Sequence, residues 1–320
     1  MILSPNSSKL KETVKSIKSV ILSARRILIA GHVSPDPDSI GACEAFRLLL
    51  RRFGKTAKIV STTGVKDQWQ RVIGRHFRTT ASTPKNSDLL IVLDCADVSR
   101  IDADTKAFKG TILNIDHHVS NTMFGDINLV ANTTSTCELL YTVFELLDPS
   151  MAWEPACAKP LAVGILFDTA QFSVVGVGPN TFQTMARLSR WVVMPELVRS
   201  LSQMSETSVL SFCKSFLNRR SLLGGRILVV KASSNDNAEW YTSFLRNVSD
   251  YDIICVVKLK GDGYLSCSLR SKKANVNALA SLFGGGGHKH AAAFRFKGSY
   301  SRFLKEFENV VKQQFQKISN

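Results

Sequence analysis

The sequence predicts an α/β protein of two domains, an N-terminal parallel-sheet domain joined by a helical linker to a smaller α+β C-terminal domain. Three observations predict it. Short apolar runs rich in branched residues alternate with helical patterns in the first half of the chain, as parallel strands alternate with crossover helices. Beyond Trp191 the order changes to strands that follow one another before further helices. The length of 320 residues suits two cores better than one.

Along the chain, residues 9–24 carry Leu10, Val14, Ile17 and Ile21 at helical spacing. The runs 26–30 (RILIA), 57–60 (AKIV), 89–93 (LLIVL) and 111–115 (TILNI) read as buried strands. Helical patterns at 38–53 and 134–147 lie between or after them. Residues 194–223 read as one or two helices ending at Gly224 and Gly225. Strand-like runs then occupy 226–231, 252–258 and 263–270, followed by a helix at 275–283, the glycine run 284–287, a strand at 292–296 and a last helix. The expected boundaries are 1–205 for the first domain, 206–225 for the linker and 226–320 for the second domain.

Composition narrows the function classes. Lys and Arg total 41 against 26 Asp and Glu, a net charge of +15, which suits a polyanionic substrate or a generally basic surface. With 44% hydrophobic and 21% charged residues the chain is a folding one, not a disordered one. No run of apolar residues is long enough to span a bilayer, and Lys9, Lys11, Lys15 and Lys18 break up the first apolar stretch, so neither a membrane span nor a secretory signal is expected. Seven cysteines with no C-x-x-C pair argue against structural zinc and against a disulfide framework, and point to a reduced, cytoplasmic protein.

The chemistry gathers at the strand ends, where open parallel sheets bind ligands. RILIA is followed by His32, Asp36 and Asp38, LLIVL by Asp94, and TILNI by Asp116, His117 and His118. So many carboxylates in one crevice would repel each other, and one or two divalent cations relieve that. A mixed set of carboxylates and imidazoles suits manganese, with iron, cobalt or zinc as alternatives. An aspartate after a strand is also a common helix cap, and Asp38 has that reading beside the metal one. The glycine run before His288 reads either as an anion-binding nest or as a turn, with Arg270, Lys272 and Lys273 upstream to complete a phosphate site.

These residues resemble the DHH phosphoesterase family. G-H-V-S-P-D-P-D-S-I-G (31–41), L-D-C-A-D (93–97), N-I-D-H-H-V-S-N (114–121) and G-I-L-F-D-T-A-Q-F (164–172) resemble its four motifs in order. S-T-C-E-L (135–139) resembles a helix start found after the third motif. S-L-R-S (268–271) and G-G-G-H-K-H-A-A (285–292) resemble the DHH-associated domain. The branch these motifs most resemble is the nanoRNase (oligoribonuclease) and phosphoadenosine-phosphate phosphatase one, with RecJ-like exonucleases as relatives.

The resemblance implies a set of roles. His32 and Asp36 would bind one of two divalent metal ions, manganese by preference, while Asp38, His117 and Asp168 bind the other and Asp94 bridges them. Asp116 would orient the histidines and His118 would face the scissile phosphate. Arg270, Gly285, Gly286, Gly287 and His288 would hold a substrate phosphate. The implied activity is hydrolysis of phosphodiester bonds in short single-stranded RNA, from an end, or of a nucleotide such as phosphoadenosine phosphate. The alternatives are a cyclic or linear dinucleotide phosphodiesterase and a RecJ-like exonuclease on longer RNA or DNA. No membrane partner is implied, and monomer and homodimer both stay open. Four positions depart from the family pattern. Pro37 stands where a small residue is usual, Ala170 and Ala293 where glycine is frequent, and Ser173 where a basic residue often stands.

Overall fold

Apolar side chains at every third or fourth position coil the first described segment into helix α1 (Ser8–Ser23), which buries Leu10, Val14, Ile17 and Ile21. The computed structural model describes residues 8–74, 77–81, 87–106, 108–233, 238–248, 250–260 and 263–319. The chain divides into two compact units, Met1–Leu201 and Ser202–Asn320.

In the first unit, α1 leads to β1 (Ile27–Ala30), α2 (Pro37–Arg52), β2 (Ala57–Val60), α3 (Asp67–Ile73), β3 (Thr79–Thr80), β4 (Leu89–Leu93), β5 (Thr111–Asp116) and β6 (Ile127–Val130). Helices α4 (Thr136–Leu147), α5 (Glu154–Asp168), α6 (Pro179–Leu188) and α7 (Met194–Ser202) come next. The six strands are all parallel, in the order β3-β2-β1-β4-β5-β6. β1 and β4 are buried along their whole length, which is why they read as unbroken apolar runs. Ile27, Ile29, Leu89, Ile91 and Leu93 face the main core with the helices. Leu28, Ala30, Leu90 and Val92 face a smaller cluster closed by Cys95 and Ile101. The strand order reverses between β1 and β4, and the crevice beyond their carboxyl ends lies at that switch point.

Two helix starts bring side chains and amides to that crevice. Pro37 opens α2, where a missing N–H costs nothing, and Asp36 is its cap, accepting from the amides of Asp38 and Ser39. The cap is therefore Asp36, and Asp38 is free to point elsewhere. Ser135 caps α4 by accepting from the Glu138 amide. Helix α5 is buried on nearly all sides and passes very close to both. A Cβ at Gly164 would lie 2.3 Å from Cys137 Sγ and 2.6 Å from Asp38 Oδ1, so only glycine fits.

The second unit contains α8 (Glu206–Leu217), β7 (Arg220–Leu222), β8 (Ile227–Ala232), α9 (Ala238–Leu245), β9 (Ile253–Leu259), β10 (Tyr264–Ser271), α10 (Val276–Ser281), β11 (Gly286–His288), β12 (Ala291–Lys297) and α11 (Tyr300–Ser319). Its sheet has the order β11-β12-β10-β9-β8-β7, with β8 and β9 parallel and the other pairs antiparallel. One face packs with Val276, Leu279, Phe303 and Phe307. On the other, Leu228, Val230, Ile254 and Val256 pack with Phe212, Tyr241 and Leu245 of α8 and α9. Residues 220–222 are an edge strand rather than the end of a helix, and residues 286–288 are a strand rather than a loop. Both are three residues long, too short to show a period in sequence. Among the described residues no helix is long and apolar enough to cross a membrane.

Candidate metal centre

The ends of β1, β4 and β5 and the starts of α2 and α4 converge on one cluster of acids and histidines. At the end of β1 the His32 ring sits with Nε2 3.6 Å from Asp36 Oδ2 and 3.5 Å from Asp94 Oδ2. Its Nδ1 lies 3.0 Å from the Val33 carbonyl, which only accepts, so Nδ1 carries a proton. Burial works against a charged ring, but the hydrogen bond and charge of Asp36 and the charge of Asp94 raise His32 to about 9, so a cation binding at Nε2 displaces a proton there. Asp36 serves two purposes, one oxygen capping α2 and the other facing His32.

Asp94 ends β4 with a left-handed backbone, φ 56°, a costly conformation for a residue with a side chain. That turn aims its carboxylate at His32 through one oxygen and at His117 and His118 through the other, at 3.5, 3.6 and 3.7 Å. His117 comes directly after β5. Its Nδ1 is 3.2 Å from the Thr133 carbonyl, and its Nε2 is 3.3 Å from Asp168 Oδ2 at the end of α5. Three groups of donors lie within 4.8 Å of one another: His32, Asp36 and Asp94; Asp38, His117 and Asp168; and Asp94, Asp116, His117 and His118.

Asp116 stands apart in what it does. Its oxygens accept from the His117 amide at 2.9 Å and from Asn121 Nδ2 at 2.7 Å, and it pairs with His118 Nδ1 at 2.7 Å. Burial works against the charged forms of that pair. The mutual hydrogen bond and charge outweigh it, holding Asp116 below the usual carboxylate range and raising His118 to about 9. Asp116 is thereby occupied as a positioning group, and His118 is a cation near neutral pH.

Burial also works against the charged form of Asp36, but the hydrogen bond and charge of His32 outweigh it and hold Asp36 below the usual range. Asp38, Asp94 and Asp168 are under strain of a different kind. Burial, then the charges of Asp94 and Asp36, push Asp38 well above the ordinary range. Asp168 is pushed the same way by burial and by Asp38, Asp36 and Asp94, and Asp94 by burial and Asp36. Burial and the neighbouring His118 lower His117. Its Nε2 is buried without a hydrogen-bond partner, a costly arrangement for a polar atom. An unpartnered imidazole lone pair among carboxylates that resist ionising is the donor set that fits divalent cations.

Several supporting residues are given no role by the sequence, although Asn114, Asn121, Thr136 and Cys137 lie within the motifs. The start of α4 grips Asp38 with two amides, Thr136 N at 2.7 Å and Cys137 N at 3.0 Å. Thr136 Oγ1 donates to Asp94 Oδ1 at 3.0 Å. Asn121 ties Asp116 to Asn114 beneath it. Asp102 is a buried hub that accepts from Ser61, Thr62 and Thr63, while Thr63 Oγ1 accepts from the Ser34 amide, which steadies the loop after β1. The sequence shows the helix start at 135–139, but its contact with Asp38 spans 98 residues and belongs to the tertiary fold.

In the second unit, Arg270 on β10 pairs in register with Ala291 of β12, and His288 of β11 pairs with the same Ala291. Register therefore sets Arg270 and His288 in one row on one face. Gly285 and Gly287 have a packing reason to be glycine, since their Cβ atoms would meet the Ala293 carbonyl at 2.2 Å and the Ala291 carbonyl at 2.5 Å. Gly286 has open space beside it.

Residues 26–165 match the DHH family, N-terminal domain, and residues 224–317 match the DHHA1 domain. Asp168 lies just past the first match. The bifunctional oligoribonuclease and PAP phosphatase NrnA of Thermus thermophilus is 27% identical over 300 residues, covering 87% of this chain and 88% of that one. The cyclic-di-AMP phosphodiesterase GdpP of Bacillus subtilis is 25% identical, covering 94% of this chain and 50% of that one. An exopolyphosphatase-related protein from Bacteroides fragilis has the same fold, with a TM-score of 0.83 at 20% identity over 97% of this chain and 98% of that one. RecJ of Thermus thermophilus, solved with Mn2+, shares the fold at a TM-score of 0.57 and 12% identity, covering 98% of this chain and 56% of that one.

Proposed function

Because the chain belongs to the DHH family of phosphoesterases, we propose that it is a manganese-dependent phosphodiesterase that removes nucleotides from the end of short oligoribonucleotides and also hydrolyses phosphoadenosine phosphate. One observation carries the reading: two groups of donors meet at Asp94 and His117, and the His117 Nε2 between them is buried without a partner. The oligoribonuclease relatives, similar along most of their length, direct it toward short RNA.

His32 and Asp36 would hold one ion, Asp38, His117 and Asp168 the other, with Asp94 shared. When bound, the pair supplies Lewis acidity and charge neutralisation for hydrolysis at phosphorus. The protein's own part is positional and electrostatic. The Val33 and Thr133 carbonyls fix the two ring tautomers so that each Nε2 faces the cluster. His118, kept protonated by Asp116, offsets negative charge building on the phosphate oxygens. Arg270 and His288, with the glycine amides beside them, would hold a second phosphate of the substrate. The first unit would thus be catalytic and the second would bind substrate. The seven cysteines are all free, six of them buried, which supports a cytoplasmic setting.

The test is a manganese-supplemented assay on end-labelled RNA of two to about twenty nucleotides, with single-stranded DNA, phosphoadenosine phosphate and cyclic-di-AMP alongside. Short RNA and phosphoadenosine phosphate are the expected substrates, and Asp38→Ala and His117→Ala should each abolish cleavage in a folded protein. Cleavage retained in both variants would overturn the assignment. The cyclic-di-AMP arm addresses the second reading, which the phosphodiesterase relatives favour.

A further inference from the structure

The loop between β1 and α2 carries His32 and Asp36, and its backbone is strained. Ser34 has a left-handed φ of 55°, a costly conformation for a residue with a side chain. Such a residue persists only where its surroundings over-determine it. The Gly31 carbonyl accepts from the Asp102 amide at 2.9 Å, and the Val33 amide donates to the Arg100 carbonyl at 2.8 Å. The His32 amide donates to Ser39 Oγ at 3.4 Å and the Ser34 amide to Thr63 Oγ1 at 2.9 Å. His32 and Ile101 also form an isolated antiparallel bridge.

Two of these supports, residues 100–102 and Thr63, are joined at one carboxylate. Asp102 is 1% exposed. Its Oδ1 accepts from Thr62 N at 3.0 Å, Thr62 Oγ1 at 2.7 Å and Thr63 N at 2.9 Å. Its Oδ2 accepts from Ser61 Oγ at 2.5 Å and Thr63 Oγ1 at 2.8 Å. Every one of these donors is a neutral amide or hydroxyl, so the carboxylate supplies acceptance and not an ion pair. The segment after β2 is thereby bound to the segment that braces the loop after β1. Thr63 Oγ1 completes the connection, since it donates to Asp102 and accepts from Ser34.

We propose that Asp102 is a positioning residue for the cation held by His32 and Asp36, with Thr63 Oγ1 relaying its hold to the strained Ser34. Its role rests on the reading of the cluster as two cation sites and concerns what fixes one of them. Asp102 belongs to none of the three groups of donors, so it acts through the loop. The other site has separate supports. The Thr136 and Cys137 amides grip Asp38, and the Thr133 carbonyl orients His117. Loosening the hub therefore weakens the His32 site and spares the His117 site.

Four variants separate positioning from bulk stability. Asp102→Ala leaves all of the hub's donors without their acceptor. Asp102→Asn keeps Oδ1 for three of them, and its amide nitrogen donates to the Ser61 and Thr63 hydroxyls, which accept as well as donate. Thr63→Val removes only the link to Ser34 and, at an exposed position, spares the core, so it carries the test if Asp102→Ala does not fold. Thr63→Ser restores the link.

Cation-free protein is titrated with manganese(II) by calorimetry, and amide exchange is followed by NMR in EDTA. In Asp102→Ala and Thr63→Val one of two manganese equivalents should bind about tenfold more weakly or worse, while the other stays within about threefold of the wild type. In EDTA the Ser34 amide should exchange about tenfold faster, with the Thr136 and Cys137 amides unchanged. Asp102→Asn and Thr63→Ser should recover both readouts. Equal weakening of both equivalents, failure of the asparagine and serine variants to recover, or wild-type binding in Thr63→Val overturns the proposal. A wild type that takes up no manganese sinks the cation reading instead. The hub is then judged by exchange alone, where faster Ser34 exchange in Thr63→Val, recovered in Thr63→Ser, supports it and an unchanged rate overturns it.

Discussion

Thr136→Val removes one hydroxyl from the buried cluster and leaves the volume almost unchanged. The backbone amide of residue 136 keeps its 2.7 Å bond to Asp38, so the start of α4 stays in place. What goes is the 3.0 Å donation from Thr136 Oγ1 to Asp94 Oδ1. Burial and the charge of Asp36 already raise Asp94, and the hydroxyl is one of the donors that favour its ionised, cation-binding form. A hydrogen bond to a charged group is worth about 1.5–3 kcal/mol. At about 1.4 kcal/mol per factor of ten, that corresponds to roughly 10- to 100-fold in affinity, the range found when partners of metal ligands are lost. The His118 cation stands 3.7 Å from the same oxygen and takes up part of the loss, so the lower end is expected. Calorimetric titration of the cation-free protein with manganese(II) at pH 7.5 should show about tenfold weaker binding in Thr136→Val. Thr136→Ser, which keeps the hydroxyl, should stay within about threefold of the wild type. Wild-type affinity in the valine variant, or an equal loss in the serine variant, would refute the reasoning.

Asp168→Asn removes one charge from the crowded carboxylates. In EDTA its melting temperature should rise, by about 2–4 °C for each kcal/mol of repulsion relieved, while stabilisation by manganese is lost. A lower melting temperature in EDTA would mean that Asp168 is held by attraction. Asp38, Asp94 and Asp168 all sit above their unfolded values, so their contribution to stability is fully present below the ordinary carboxylate range and is lost as pH rises through the folded values. The rise in melting temperature on adding manganese should therefore grow from pH 5.5 to 8, and a constant or shrinking difference would contradict this. Ala170, Gln171 and Phe172 are consecutive residues with left-handed φ of 43, 57 and 67°. Ala170→Gly should stabilise the protein by about 0.5–1 kcal/mol in urea denaturation, and destabilisation would show that the segment is not strained there.

Much of the site is legible in the chain because it is local. Strand ends in a parallel sheet deliver whatever residue comes next, so RILIA, LLIVL and TILNI place His32, Asp94 and His117 at one rim as soon as the runs are recognised as neighbouring strands. The departures from family pattern are readable in the same way once the backbone is known. Pro37 fits because it opens α2, whereas Ala170 stands where the chain turns left-handed and a glycine would cost less. Short edge elements are hidden in the sequence because two or three residues show no period, and β3, β7 and β11 are all of that kind.

The sequence by itself determined the α/β class, the strands that carry the acids and histidines, and the chemical type of the cluster, because apolar periodicity and residue identity are properties of the chain. Only the tertiary structure decided that Asp36 rather than Asp38 caps α2, that α4 holds Asp38 from 98 residues away, and that Asp116 is committed to His118. It also decided that the cations of β9, β10 and β12 share one open face, since register and the extent of helical cover fix that. The grip of α4 on Asp38 and the row of charges depend on distance and direction between segments remote in sequence, which exist only once each core has packed. The cap and the Asp116–His118 pair join residues two or three apart, and there the folded backbone decides which way each side chain points.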